Sequence, residues 1–109
     1  MMIIEMPEVI QNYYDADKKK AGSISVHFTP DAVVIDEGNT YKGSDEIDEW
    51  QQQASTEYSY TVEPFALDAV DDKTVVTAHL RGNFPGSPVD LRYIFGLSGG
   101  QIESLEIKP

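Results

Sequence analysis

The stretch "VVIDEGNTYKG", residues 33 to 43, holds the acid best placed for chemistry. Three β-branched apolar residues run into Asp36, and Glu37, Gly38 and Asn39 follow it. Side chains alternate between the two faces of a strand, so Asp36 shares a face with Val34. Where that face is covered, an apolar surround favours the neutral carboxyl and lifts its pKa toward the range of a useful general base. Asp-Glu-Gly-Asn is equally ordinary turn chemistry, so a solvated turn stands as the alternative. His79 in "TVVTAHLRG" is the second candidate: it shares a strand face with Val75 and Thr77, and an imidazole carries protons near neutral pH. A single strand histidine also fits a purely structural role. His27, next to Phe28, reads as a surface residue. Tyr93 alternates with Leu91 and Phe95 on an apolar face where its hydroxyl can donate a hydrogen bond, and Arg92 turns the other way beside Asp90. Phe28, Tyr41, Trp50, Tyr58, Tyr60, Tyr93 and Phe95 offer the aromatic surface that a small organic ligand needs, and each also fits core packing. Trp50 serves both purposes best, because it follows Ile47 at helical spacing.

Other chemistries find no support. Acids outnumber bases 19 to 8, a net charge of −11 that repels phosphate backbones, so nucleic acid is not an expected partner. The chain has no cysteine, which excludes disulfides, zinc–thiolate sites and a thiol nucleophile. The two histidines are far apart among scattered acids, so no metal site is expected. "GNFPGSP" is glycine-rich but has no lysine at phosphate-loop spacing. No serine–histidine–aspartate set has its supporting local motifs. "MMIIEMPEVI" has a short apolar run and glutamates where a secretory leader carries bases. No stretch approaches the ~20 apolar residues that span a bilayer. A soluble, cytoplasmic protein with no membrane partner is the expectation.

These residues need a scaffold. At 109 residues, with 40% hydrophobic and 25% charged side chains, the chain suits one globular domain over 1–109. Val9, Ile10, Tyr13 and Tyr14 recur at helical spacing from Met6 to about Lys19, with Pro7 suited to the first turn and Gly22 to the stop. The Lys18-Lys19-Lys20 run suits the helix C-terminus. A short helix over 23–28 is predicted, broken by "TPDA". A strand over 32–35, a turn at Gly38-Asn39 and a strand over 40–42 follow. Ser44 is placed to cap a second long helix with Ile47, Trp50, Gln51 and Ala54 on one side. From Tyr58 onward the pattern alternates as strands, with turns at Asp71-Asp72, "NFPGSP" and "SGG". Helices followed by antiparallel strands give an α+β class, helices on one face of a sheet.

This order resembles the nuclear transport factor 2-like fold, and two segments resemble its SnoaL-like branch: "FTPDAVVIDEGNTYKGSDEIDEW" and "GNFPGSPVDLRYIFGLSGGQIESLEI". The resemblance covers nearly the whole chain. It implies a cone, in which N-terminal helices pack on a strongly curved antiparallel sheet around a pocket, and a homodimer through the sheet. It implies cofactor-free proton transfer of isomerase or cyclase type on a small apolar, ring-containing or carbonyl compound, or else a ligand-binding or dimerisation module with no catalysis. Ketosteroid isomerases of this fold carry their proton-abstracting aspartate in a D-A-x-x-x-D string. Asp31-Ala32-Val33-Val34-Ile35-Asp36 matches that spacing. Tyr13 falls near the helix tyrosine that donates to their oxyanion, while their late-strand acid has no counterpart, its place falling at Arg92 or Tyr93. His79 falls near a strand histidine of SnoaL-type cyclases, whose catalytic aspartate is also missing here. The implied site is therefore Asp36 and His79, with Tyr13, Phe28, Trp50, Tyr60, Tyr93 and Phe95 around the ligand.

Overall fold

A computed structural model describes residues 6–19 and 23–109. Residues 1–5, Lys20 and the expected helix stop at Gly22 lie outside them. Helix α1 spans Glu8–Lys19, and the Pro7 carbonyl accepts the amides of Ile10 and Gln11 at 3.0 Å. Its apolar stripe goes inward, with Ile10, Tyr13 and Tyr14 buried. The short helix is a single 3-10 turn over Ile24–His27. Strand β1 (Phe28–Asp36) starts four residues earlier than the proline suggested. Pro30 is accommodated because the pairing of β1 with its neighbour slips between Phe28 and Val33, and a bulge has no ladder bond for proline to lose.

The hairpin to β2 (Asn39–Lys42) turns at Glu37-Gly38, one residue before the predicted place. Both residues have positive φ, 53° and 77°, the primed two-residue turn that matches strand twist. Helix α2 spans Gly43–Glu57. Ser44 does not cap it; instead the Glu46 carboxylate accepts the Lys42 amide at 2.9 Å. Four strands complete the chain: β3 (Tyr60–Val70), β4 (Lys73–Gly82), β5 (Val89–Ser98) and β6 (Gln101–Lys108).

The sheet order is β2-β1-β6-β5-β4-β3. Every neighbouring pair is antiparallel except β1 with β6, which run parallel, so the sheet is mixed. Register slips in β1, in β3 after Pro64 and near Gly96 bend the strands, as bulges do. Both helices cover one face. One inner row runs Tyr41, Val34, Leu105, Phe95; the next runs Asn39, Asp36, Ile107, Tyr93, Val76. The core combines these rows with Ile10, Tyr13, Tyr14, Ile24, Ile47 and Trp50 from the helical segments. Each large apolar side chain so buried stabilises the fold by roughly 1.5–3 kcal/mol.

The 3-10 turn is fastened to α2 by one carboxylate. Asp48 accepts the Ser25 amide at 2.9 Å, the Ser25 hydroxyl at 2.8 Å and the Ser23 hydroxyl. Burial is the largest single influence and pushes its pKa up, but the donors at Ser23, Ser25 and Ile24 together outweigh it and hold the carboxyl below 3.8. Asp48→Ala is expected to lower stability by about 1–2 kcal/mol in urea unfolding at neutral pH. A carboxylate with a lowered folded pKa contributes stability above its unfolded pKa and loses it as pH falls through the folded one. The gap between wild type and variant should therefore close below pH 3.8.

Candidate functional site

Asp36 is both things its sequence allowed: the last strand residue before the turn, and an inward-facing acid. Val34 ahead of it on the same face is fully buried. The Asp36 carboxylate is half-buried and accepts the Trp50 indole N–H at 3.0 Å on Oδ2. Burial raises its pKa, while the Trp50 indole and the Glu37 amide, both favouring the ionised form, pull against that shift. The net direction is upward. Trp50 itself is held by α2 and by Tyr41 of β2, whose ring lies 6.2 Å from it. Among the described residues no cationic side chain forms an ion pair with Asp36.

The facing wall is phenolic. On α1, Tyr13, Tyr14 and Asp17 share one side, Asp17 standing four and three residues beyond the tyrosines. Asp17 accepts the Gln51 side-chain amide at 3.1 Å, which ties α1 to α2 at a glutamine only 8% exposed. Tyr93 packs edge-on to Tyr14 with centroids 5.3 Å apart and stacks near Phe95. Tyr60 begins β3, where the Ser59 amide donates to the Asn83 side chain and Gly82 leaves room for the Ser59–Tyr60 backbone. Burial is the main reason that the pKa values of Tyr13, Tyr14, Tyr60 and Tyr93 are raised. Asp17 is the leading charge acting on Tyr13, Tyr60 and Tyr93, and Asp36 acts on Tyr60 and Tyr93 as well. All four phenols are therefore neutral hydrogen-bond donors at physiological pH. The Tyr14 hydroxyl is buried and has no hydrogen-bond partner among the described residues.

The expected residues divide into three groups. Asp36 bonds Trp50 and shares a sheet row with Tyr93, and its charge acts on both Tyr93 and Tyr60. Tyr13, Phe28 and Phe95 form the ring-packed floor beneath them, with Tyr13 lying 6.0 Å from Phe28 and 5.6 Å from Phe95. His79 does not join them. Val76, Ala78 and Leu80 are the inward residues of β4, so His79 has the opposite parity and points to the outer face. There its Nδ1 pairs with Asp90 at 2.7 Å, across from Glu63. Tyr14 and Asp17 were missed as site residues. Asp17 in "YYDADKKK" reads as a solvated helix end; its i+4 spacing from Tyr13 was the available signal.

Two open depressions lie elsewhere. One, of about 520 Å³, is at the opposite end, between the start of α1, the 3-10 turn and the β5–β6 turn; it includes His27 and the exposed Val26. The other, of about 340 Å³, lies outside Tyr41 between β2 and α2. Neither contains Asp36. The Asp36 end is the candidate site, because a part-buried acid and an aromatic wall with buried hydroxyls lie there. Among the described residues no cluster of three or more His, Asp or Glu side chains is arranged to hold a metal ion, and no helix is long and apolar enough to cross a membrane.

No protein-family model and no curated protein matches this sequence. Solved structures do match. A Sinorhizobium meliloti protein, provisionally assigned as a polyketide cyclase, is 40% identical, with 94% of this chain and 95% of that one covered and a TM-score of 0.89. A Catenulispora acidiphila protein with a ketosteroid isomerase-like fold, solved with trimethylamine, is 17% identical over 96% of this chain and 87% of its own, with a TM-score of 0.80. The epoxide hydrolase/cyclase-like enzyme SalBIII, of pyran ring formation in polyether salinomycin, is 20% identical over 92% and 86%, with a TM-score of 0.76. The last two show a shared fold. The 40% identity over nearly the whole of both chains shows the family: the chain belongs to the SnoaL-like branch of the nuclear transport factor 2-like superfamily.

Two outcomes are expected for Asp36. Trp50→Phe removes a donor to the ionised form, so the Asp36 pKa rises further in a carbon-detected NMR titration. Asp36→Asn keeps an acceptor for Trp50 without the charge. A carboxylate whose folded pKa is raised stabilises the fold only in its protonated form, a contribution present below the unfolded value of 3.8 and lost as pH rises through the folded one. Asp36→Asn should therefore unfold at higher urea than wild type near pH 7, and that advantage should vanish near pH 3.

Proposed function

We propose that the protein binds a small ring-containing carbonyl compound at the Asp36 end of the sheet and transfers a proton on it without a cofactor, in a reaction of isomerase or cyclase type. The observation that carries this reading is the half-buried Asp36 carboxylate, raised in pKa by burial, on the same sheet row as Tyr93. The carboxylate takes a proton from the carbon next to the carbonyl. The C–H electron pair moves into the ring and the carbonyl oxygen gains charge. A neutral phenol, Tyr93 or Tyr14, whose hydroxyl has no hydrogen-bond partner among the described residues, donates a hydrogen bond to that oxygen. Asp36 then returns the proton to another carbon; in a ring closure the enolate carbon instead attacks a second carbonyl carbon of the same molecule, whose C=O π electrons move onto its oxygen, and that oxygen takes the proton from Asp36. The polyketide cyclase assignment of the 40% identical protein supports a carbonyl substrate.

The second reading is a binding or dimerisation module with no catalysis. It is favoured by the Trp50 indole, which already occupies one Asp36 oxygen. Ile35, Val75 and Ile94 on the outer face support the expected homodimer through the sheet, and the lack of cysteine suits a cytoplasmic setting.

Deuterium exchange into a panel of ring ketones and lactones separates the readings. Catalysed exchange is expected, and Asp36→Asn should slow it by about 10²–10⁴-fold. Tyr93→Phe and Tyr14→Phe should each slow it less. If ligands bind with no exchange above buffer, the module reading takes its place.

A further inference from the structure

The two edges of the sheet differ. β2, at one end, is four residues long, and Asn39, Thr40 and Lys42 stand exposed on it. Short, polar edges of this kind resist further pairing. β3, at the other end, is eleven residues long and has β4 as its one neighbour. Alternate N–H and C=O groups along it therefore point away from the sheet. Pro64 and the extra residue at Phe65 interrupt its first part. From Ala66, opposite Thr77, to Val70, opposite Lys73, the pairing is regular and the free edge is continuous.

Apolar side chains collect on this strand. Of the five large ones exposed among the described residues, Phe65, Leu67 and Val70 lie on β3. Leu67 stands at the end of the inner row that runs through Tyr93 and Val76. Val76 is fully buried, yet Leu67 is 37% exposed, because no strand lies beyond it. Val70, on the outer face with Asp68, is 51% exposed. Covering such groups with a further strand removes apolar surface from water, which favours pairing.

The free charge beside them is of one sign. Asp68, Asp71 and Asp72 are exposed and form no ion pair among the described residues. The nearby bases are engaged: Lys73 reaches across Gly96 to the Ser104 hydroxyl at 3.3 Å, and Arg81 pairs with Glu63 at 3.9 Å. A second copy of the chain brings the same acids to this edge, so like charges oppose that pairing. A basic strand meets opposite charge instead.

We propose that the edge of β3 from Ala66 to Val70 takes up an extended, basic segment of another protein as a further strand. The segment alternates apolar residues with Lys or Arg. Its main chain bonds the open N–H and C=O groups of β3. Its apolar side chains cover Leu67 on the inner face. Its basic side chains lie beside Asp68 on the outer face, where their aliphatic stems cover Val70. The proposal does not rest on the reading of Asp36.

A short capped peptide that alternates lysine and valine is the probe, titrated into the full chain near pH 7 and followed by backbone amide NMR and hydrogen exchange. One control holds the same residues in two blocks, and another has glutamate in place of lysine. The alternating lysine peptide is expected to bind at least about tenfold more tightly than either control and to weaken with added salt. It should protect alternate amides between Ala66 and Val70 from exchange and leave the Trp50 indole resonance in place. Asp68→Lys, at an exposed position, should narrow the preference for lysine over glutamate by about threefold or more. Should that variant fail to fold, the comparison of the peptides on the wild-type chain still decides. Equal binding of the block peptide reduces the effect to charge alone and overturns the proposal. Protection away from β3, or a shift of the indole in its place, does the same. Protection of Ala66 to Val70 by raised protein concentration alone makes a second copy the occupant, which also overturns it.

Discussion

The hydrogen bond from the Trp50 indole to Asp36 is the contact on which the site depends. A carboxylate taken half out of water is costly unless donors replace the water. Here the indole and the Glu37 amide do so, and both are neutral. They lower the cost without supplying a counter-charge, so the pKa stays raised. The bond exists because a short piece of chain is arranged to make it. A two-residue primed turn and a four-residue strand bring the backbone to Gly43, whose φ of +82° starts α2 at once. Ile47 and Trp50 then sit on the inward stripe, and the indole arrives over the end of β1. Lengthening either connection would carry Trp50 past the acid.

Strand parity decides which other side chains share that space, and parity is where reading the sequence succeeded in one strand and failed in another. In β5, Tyr93 between Leu91 and Phe95 has one apolar set and one charged set, Asp90 and Arg92, so its inward face was legible. In β4, Val75, Thr77 and His79 compete with Val76, Ala78 and Leu80. The second set is the more apolar and is the one buried. Weighing His79 against Leu80 would have found this; the attraction of an imidazole near an acid did not. In β1, Val33 and Ile35 are as apolar as Ala32 and Val34, although Ile35 is exposed on the outer face. There the choice of Asp36 as an inward residue needed the resemblance as well as the pattern.

Boundaries failed for a different reason. Pro30 looks like a strand breaker, and it would be one in a regular ladder. Local composition does not reveal that β1 slips against β6 at that point. Asp17 was hidden by its neighbours: three lysines follow it, and a charged helix end is the ordinary expectation. Its partner Gln51 is 34 residues away, so only the packing of α1 on α2 turns a surface acid into part of the site.

The phenol wall shows how the fold holds a polar group in place without bonding it. Tyr14 meets Tyr13, Tyr93 and Phe95 at centroid distances of 5.1, 5.3 and 6.1 Å, all edge-on. Such contacts fix the ring and so fix the direction of the hydroxyl, each adding about 0.5–1.5 kcal/mol beyond area burial. Phenylalanine at this position would make the same contacts without an unpaired hydroxyl, so core packing alone does not account for tyrosine. The hydroxyl is a local cost that aromatic packing offsets, held at a fixed place in the field of Asp17. A group that is expensive in the empty protein and already oriented loses little freedom when a ligand pairs with it, which makes its contribution to binding larger than that of a flexible surface donor.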